Sequence, residues 1–141
     1  MPQVVFYALG KAQQASHRAC ELVADAYSKR QRCRILCASQ KQAEDVDELL
    51  WQMPADRFIP HNLHGEGPTS GTPVEICWLP DQVEKCHVII NLTDELVSQP
   101  QRFLFIYDFV PAEEEAKQKA RLRYKHYQQA GFAMQFESVE N

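Results

Sequence analysis

The chain has 141 residues, of which 45% are hydrophobic and 24% are charged, and its formal net charge is -4. This composition is ordinary for a soluble globular protein, and the length is sufficient to bury a hydrophobic core. The negative charge argues against a protein whose whole surface binds nucleic acid. The sequence contains neither an apolar run of the ~20 residues that cross a bilayer nor a signal-peptide pattern. We therefore expect a single cytoplasmic domain over residues 1–141.

The five cysteines are expected to be free thiols. An odd number of cysteines in a chain without a signal peptide favours reduced thiols over a disulfide framework. None of them forms a C-x-x-C pair, and Cys33 and Cys37 fall in an apolar segment that predicts a strand. The sequence thus predicts no structural zinc site.

The first part of the chain predicts two strand–helix units. Residues 3–9 are β-branched and aromatic without a charge, and residues 13–29 repeat apolar positions at helical spacing. Residues 33–38 predict a second buried strand, and a helix from about Ser39 to about Trp51 follows. Two such units in succession indicate parallel strands joined by right-handed crossovers. We expect a three-layer α/β/α fold with a mostly parallel sheet and Rossmann-like topology.

Residues 47–78 contain a long connection between this helix and the next strand. Prolines and glycines punctuate it, but Trp51, Phe58, Ile59 and Leu63 make it too apolar to be disordered. Connections of this length are uncommon in compact domains and are usually functional. Aromatic residues beside prolines indicate either a binding surface or a loop that covers the core, and the pattern leaves both open.

The remainder of the chain predicts four further strands and one long polar helix. The predicted strands are residues 73–78, 87–92, 103–109 and 132–136, and the helix is residues 112–130. Residues 103–109 are the most apolar and are expected in the centre of the sheet, whereas residues 132–136 are expected at an edge. Gly131 suits the left-handed position that follows a helix C-terminus.

Signatures of catalysis or cofactor binding are missing from the sequence. The first strand-to-helix turn, residues 9–14, has neither the G-x-x-x-x-G-K-[ST] nor the G-x-G-x-x-G pattern, so it lacks a phosphate-binding loop. His61, His64 and Glu66 are candidate metal ligands by residue type, but an H-x-x-H pattern in a loop lacks the helical geometry that places two imidazoles on one face. We interpret the two as surface or loop-bracing histidines. No catalytic residue, cofactor or metal is therefore predicted.

The helix over residues 112–130 begins with acidic residues and becomes basic later. Lys117, Arg121 and Lys125 stand at i, i+4 and i+8 and so form one stripe, beside a face of alanines and tyrosines. The stripe is consistent with a solvated face that complements the helix dipole. It is also consistent with a site for an acidic peptide or a carboxylate. A third interpretation is a site for single-stranded nucleic acid, in which bases stack on tyrosines.

At several motifs the sequence resembles the chi subunit of bacterial DNA polymerase III. The motifs are Trp51 with Pro54, Phe58-Ile59-Pro60-His61-Asn62-Leu63, Gly65-Glu66-Gly67-Pro68, Pro73-Val74-Glu75-Ile76, Asp108-Phe109-Val110-Pro111, and Arg121 through Gly131-Phe132. The run Pro-His-Asn-Leu-x-Gly-Glu-Gly-Pro is long and specific. The similarity extends from Phe6 to Phe132, and residues 80–101 match least.

This resemblance implies a non-catalytic accessory subunit of the clamp-loader complex. The subunit would belong to a DNA-directed DNA polymerase complex but would have no catalytic residues of its own. It implies a heterodimer with the psi subunit and binding of the acidic C-terminal tail of single-stranded DNA-binding protein. Through these two contacts the replicase would be linked to coated template. An accessory helicase that competes for the psi-binding surface is a further partner that the resemblance suggests.

The resemblance also implies which residues contact each partner. The psi-facing residues would be Trp51, Pro54, Phe58, Pro60 and His61. The tail-binding residues would be Val110, Lys117, Arg121, Tyr124 and Lys125. Within this second set the cations would meet acidic groups, while Tyr124 and Val110 would hold the ring of a terminal Phe.

Two other functions compete with this one. A single-stranded nucleic-acid-binding protein would use the basic helix directly, but the acidic net charge argues against it. A nucleotide-dependent enzyme is opposed by the missing phosphate-binding loop.

Overall fold

The structure is a computed structural model that describes residues 2–53, 55 and 58–138. These residues form an all-parallel sheet flanked by helices. The elements are β1 (Gln3–Ala8), α1 (Ala15–Ser28), β2 (Cys33–Leu36), α2 (Gln40–Gln52), β3 (His61–Leu63), β4 (Val74–Cys77), β5 (Val88–Asn91), β6 (Phe105–Val110), α3 (Glu114–Gln129) and β7 (Ala133–Glu137). Short 3-10 turns lie at Pro80–Gln82 and Pro100–Arg102.

The seven strands lie in the order β3-β4-β2-β5-β6-β1-β7, and each pair of neighbours runs parallel. The predicted α/β class is therefore confirmed. Strand β7 lies at an edge, as predicted. The apolar strand β6 lies inside the sheet, although the middle position belongs to β5, whose four residues are all buried.

Apolar side chains fill both faces of the sheet, because alternate residues of a strand point to opposite sides. Helices α1 and α2 cover one face, where Val23 and Val46 join Ile35 of β2 in a buried cluster. Helix α3 covers the other face, where Tyr127 packs with Phe6 of β1. The three layers follow from these two cores.

Helix termini follow their local sequence signals. The side chain of Ser39 accepts a hydrogen bond from the Gln42 backbone N–H at 3.1 Å, so Ser39 caps α2 as predicted. Acidic Glu114 and Glu115 occupy the first turn of α3, where they complement the helix dipole. Gly131 follows α3 with a φ of 91°, a left-handed conformation that favours glycine.

The long connection contains a strand that the sequence did not predict. Residues 61–63 form β3, which pairs with β4 at the edge of the sheet. A strand of three residues is too short to show alternation, and Pro60 precedes it directly. Ile59 is fully buried in the core beneath α2, whereas Phe58 is 60% exposed. The connection therefore both covers the core and presents aromatic surface.

The cysteines are all free thiols, as predicted, and only Cys86 is partly exposed. Burial raises the pKa of the Cys20 and Cys37 thiols to about 12, so both remain protonated at neutral pH. Among the helices of the described residues, none combines the length and apolar character needed to span a membrane.

Candidate functional site

A cleft of about 450 Å³ opens at the carboxyl ends of β1 and β6, beside α3. We name it the α3 cleft; its lining residues are Ala8, Leu9, Val110, Pro111, Ala112, Lys117, Ala120, Arg121, Tyr124, Lys125 and Phe136. Open α/β sheets commonly bind ligands at the carboxyl ends of their strands. The structure brings all five predicted tail-binding residues together in this lining.

The α3 cleft combines an apolar surface with three cations. Tyr124 is half-buried, and its ring meets that of Phe6 edge-to-face with centroids 5.2 Å apart, so the core supports it from below. Lys117 is half-buried, whereas Arg121 and Lys125 are exposed. Within residues 2–53, 55 and 58–138, these three cations form no ion pair, so their charges are available to an anionic ligand.

The sequence analysis missed the parts of the cleft that come from β1 and β7. Leu9 follows the end of β1, and Phe136 projects an exposed ring from β7. The two strands pair in parallel with Phe6 opposite Phe136. Phe136 reaches the cleft through this pairing, which sequence spacing does not reveal.

Arg123 lies on the same basic helix but is buried against the sheet. Its Nε and Nη2 donate hydrogen bonds to the two carboxylate oxygens of Asp108 at 3.0 and 3.1 Å. The side-chain amide of Asn91 donates a third at 3.3 Å. Burial raises the pKa of the Asp108 carboxyl to about 6, and the Arg123 charge opposes that rise. The pair anchors α3 to β6 and does not face the cleft.

A second exposed surface lies at the end of α2 and is aromatic. Trp51 and Phe58 are 58% and 60% exposed, and their ring centroids are 5.3 Å apart. The His61 imidazole lies 4.7 Å from the Trp51 ring. We name Trp51, Phe58 and His61 the Trp51 surface. Two large aromatic side chains in contact yet exposed to water are typical of a protein–protein interface.

His61 also braces the connection that carries Phe58. One ring nitrogen lies 2.8 Å from the Ile59 carbonyl oxygen, and the other lies 3.2 Å from that of Asp47 on α2. Pro60, between Phe58 and His61, is half-buried. Pro54, the remaining residue predicted to face psi, lies outside the described residues.

The two histidines of the H-x-x-H pattern do not converge. The His61 side chain is directed toward α2, whereas Nδ1 of His64 lies 3.2 Å from Oε2 of Glu75. The pattern therefore does not bring the two imidazoles around one point.

The α3 cleft and the Trp51 surface lie toward opposite edges of the sheet. The Trp51 surface adjoins β3, the first strand in the sheet order, and the α3 cleft adjoins β7, the last. The cleft opens at β6 and β1, which are four and five strands from β3, so spacings of ~4.8 Å separate the two surfaces by roughly 20 Å or more. Two macromolecular ligands therefore have room to bind at once.

Fold and surfaces together define an all-parallel α/β domain with candidate docking surfaces. The crystal structure of T4 UvsW has a similar fold, with a TM-score of 0.68 at 9% identity. The match covers 97% of this chain and 41% of that one. At such low identity the likeness shows the fold alone.

The family is shown by sequence. The family model described as "DNA polymerase III chi subunit, HolC" matches residues 1–135, and the chain belongs to this family. It is 43% identical to the DNA polymerase III subunit chi of Escherichia coli (strain K12), over 80% of this chain and 78% of that protein. The chain is 38% identical to the subunit chi of Haemophilus influenzae, over 86% of this chain and 85% of that protein. It is 27% identical to the subunit chi of Pseudomonas aeruginosa, over 96% of this chain and 95% of that protein.

The resemblance drawn from the sequence motifs is thereby confirmed. Family membership makes the chain a replication accessory subunit that belongs to the DNA polymerase III complex.

Proposed function

We propose that this chain is a non-catalytic adaptor of the replicase. It binds the psi subunit through the Trp51 surface and the acidic C-terminal tail of single-stranded DNA-binding protein in the α3 cleft. The observation that carries the proposal is the composition of the α3 cleft, where three cations surround an apolar surface. Such a cleft suits a ligand that combines carboxylates with an aromatic ring.

The tail proposal rests on complementary chemistry. A peptide that ends in Phe presents a terminal carboxylate, a ring and upstream acidic groups. Arg121 and Lys125 would form charge-assisted hydrogen bonds with the carboxylates. Tyr124 and Val110 would contact the ring, since aromatic pairs are stabilised by edge or offset packing. Lys117 would add attraction at longer range.

The psi proposal rests on the exposed ring pair. Buried aromatic anchors commonly cost ~2 kcal/mol or more of binding free energy when truncated. Trp51 and Phe58 are already in contact in the free chain, so they form one continuous apolar patch that a partner can cover. His61 holds the connection against α2 and so fixes where Phe58 lies.

A peptide titration tests the α3 cleft. A fluorescent peptide with acidic residues and a C-terminal Phe is titrated with wild type and with Arg121→Ala/Lys125→Ala. We expect micromolar binding to wild type, about -8 kcal/mol, and at least a tenfold loss in the variant. The control is Lys41→Ala/Lys119→Ala, which removes the same charge from exposed positions outside the cleft.

The control variant should bind within about twofold of wild type, because its charges lie outside the ligand contacts. Tight binding that survives Arg121→Ala/Lys125→Ala would place the tail elsewhere. If wild type does not bind the peptide, tail binding is not part of the function. A gel shift with bare single-stranded oligonucleotide then tests the nucleic-acid alternative, in which bases stack on Tyr124.

Co-purification tests the Trp51 surface. Trp51→Ala/Phe58→Ala should lose psi while keeping peptide affinity. Leu104→Ala is the control, because this side chain is also exposed and apolar but lies directly before β6, four strands away from β3 in the sheet. Retention of psi by the double variant at wild-type yield would assign psi to another surface.

A further inference from the structure

Three metal-ligating side chains converge at the β3 edge of the sheet. They are His64, Glu75 and Cys77, and their ligand atoms all lie within 4.8 Å of one another. Glu75 and Cys77 stand two apart on β4, so their side chains share one face of the sheet. The N–H of His64 donates to the Ile76 carbonyl oxygen at 2.9 Å, which places His64 beside them.

We propose that His64, Glu75 and Cys77 bind one Zn²⁺ ion. The donor set of one nitrogen, one carboxylate oxygen and one sulfur is typical of zinc, whereas Mg²⁺ and Ca²⁺ prefer oxygen ligands. The three residues are separated by up to thirteen positions in the sequence, and the pairing of β3 with β4 brings them together.

The distances between ligand atoms are close to those of a tetrahedral site. Zn–N, Zn–O and Zn–S bonds of ~2.0–2.3 Å place neighbouring ligand atoms about 3.3–3.6 Å apart. Nδ1 of His64 lies 3.2 Å from Oε2 of Glu75, and that oxygen lies 3.8 Å from Sγ of Cys77. The His64 side chain is 38% exposed, and its ligand nitrogen lies within 4.8 Å of the Cys77 sulfur. A water molecule takes the fourth position on this open side.

The charges of the ligands match a divalent cation. Cys77 binds the metal as a thiolate, so its thiol proton leaves to solvent when zinc binds. A carboxylate and a thiolate together neutralise the two charges of Zn²⁺.

Arg34 of β2 lies beside the cluster without repelling such a neutral site. It stands opposite Glu75 in the strand register, and its Nε lies 3.7 Å from Oε2 of Glu75. This buried Nε has no hydrogen-bond partner within the described residues. A zinc-bound thiolate or carboxylate gives it an anionic acceptor, the type of outer contact that orients metal ligands.

Cobalt and zinc titrations test the proposal. Chelator-treated protein is titrated with Co²⁺, whose thiolate complexes absorb in the near ultraviolet, and then with Zn²⁺. We expect an absorption band that saturates at one equivalent, is abolished when Zn²⁺ displaces Co²⁺, and is missing in Cys77→Ser. His64→Ala should weaken Zn²⁺ binding at least tenfold. The controls His17→Ala and Cys86→Ser, outside the cluster, should behave as wild type.

Thermal unfolding provides a second readout. Excess Zn²⁺ should raise the Tm of wild type, because the ion binds the folded chain, and should raise that of His64→Ala much less. Absence of the band in wild type, its survival in Cys77→Ser or its loss in Cys86→Ser would overturn the proposal. His64 is partly exposed, so His64→Ala remains informative even where Cys77→Ser fails to fold.

Discussion

Replacing Arg123 with Met should break the buried ion pair that anchors α3. The Arg123 side chain is 8% exposed and that of Asp108 is 1% exposed. The variant leaves a buried carboxylate without its countercharge, which typically costs ~3–5 kcal/mol. Urea unfolding followed by circular dichroism measures the loss. Lys119→Met is the matched control, because its pair with Asp94 is exposed and should contribute little to stability.

The pH dependence gives a second check on the same variant. Burial raises the pKa of Asp108 in the folded protein to about 6, above its ordinary value. A raised folded-state pKa means that stability is present at low pH and is lost as the pH rises through that value. Removing Arg123 raises this pKa further, so the loss in Arg123→Met should be larger at about pH 8 than at about pH 5. Equal midpoints for Arg123→Met and Lys119→Met would refute the reasoning.

Three further predictions follow from burial, backbone conformation and charge. Ile59→Ala should lower the free energy of unfolding by ~2–5 kcal/mol, because the side chain is fully buried. Phe58→Ala, at an exposed side chain, should change it by less than ~1 kcal/mol. Equal urea midpoints for the two variants would contradict this difference. Gly131→Ala should cost ~1–2 kcal/mol in thermal unfolding, because a φ of 91° is strained for alanine; an unchanged Tm would count against it. Peptide affinity for the α3 cleft should fall with added salt, since exposed charges are screened over ~8–10 Å, and a salt-independent affinity would exclude Arg121 and Lys125 from binding.

Hydrophobic runs were sufficient to predict most of the fold. Strands β1, β2, β5 and β6 are largely buried and so appear as nearly continuous apolar segments, interrupted by Arg34 in β2 and Asp108 in β6. Strand β3 could not be predicted in this way, because three residues after a proline carry no periodicity. The order of the strands was equally inaccessible, since it depends on tertiary pairing rather than on local sequence.

Helical spacing correctly grouped the three cations of the α3 cleft but did not identify the buried role of Arg123. Lys117, Arg121 and Lys125 are four apart, and the structure places them in one cleft. Arg123 is two residues from Arg121, which corresponds to about 200° around the helix, so it faces the sheet instead. The available signal was Asp108, a lone acid in the most apolar strand, because a buried carboxylate requires a partner.

Residues that meet only through strand pairing escaped the sequence analysis. Phe136 reaches the α3 cleft because β7 pairs with β1. His64 meets Glu75 because β3 pairs with β4, although the two residues are eleven positions apart. The H-x-x-H pattern suggested that His64 pairs with His61, but in the structure the His61 ring contacts Asp47 instead. Register, rather than spacing, determines these contacts.

Under the proposed function, the distance between the two surfaces has a consequence for coupling. A separation of roughly 20 Å or more exceeds the ~8–10 Å over which exposed charges act at physiological ionic strength. Neither ligand would contact the other's residues, and the sheet between them is a packed, rigid layer. Two ligands alter each other's affinity only through differential contacts with distinct states of the protein. Because a packed sheet separates the two surfaces, we expect psi and the tail to bind independently, as a tether between two assemblies requires.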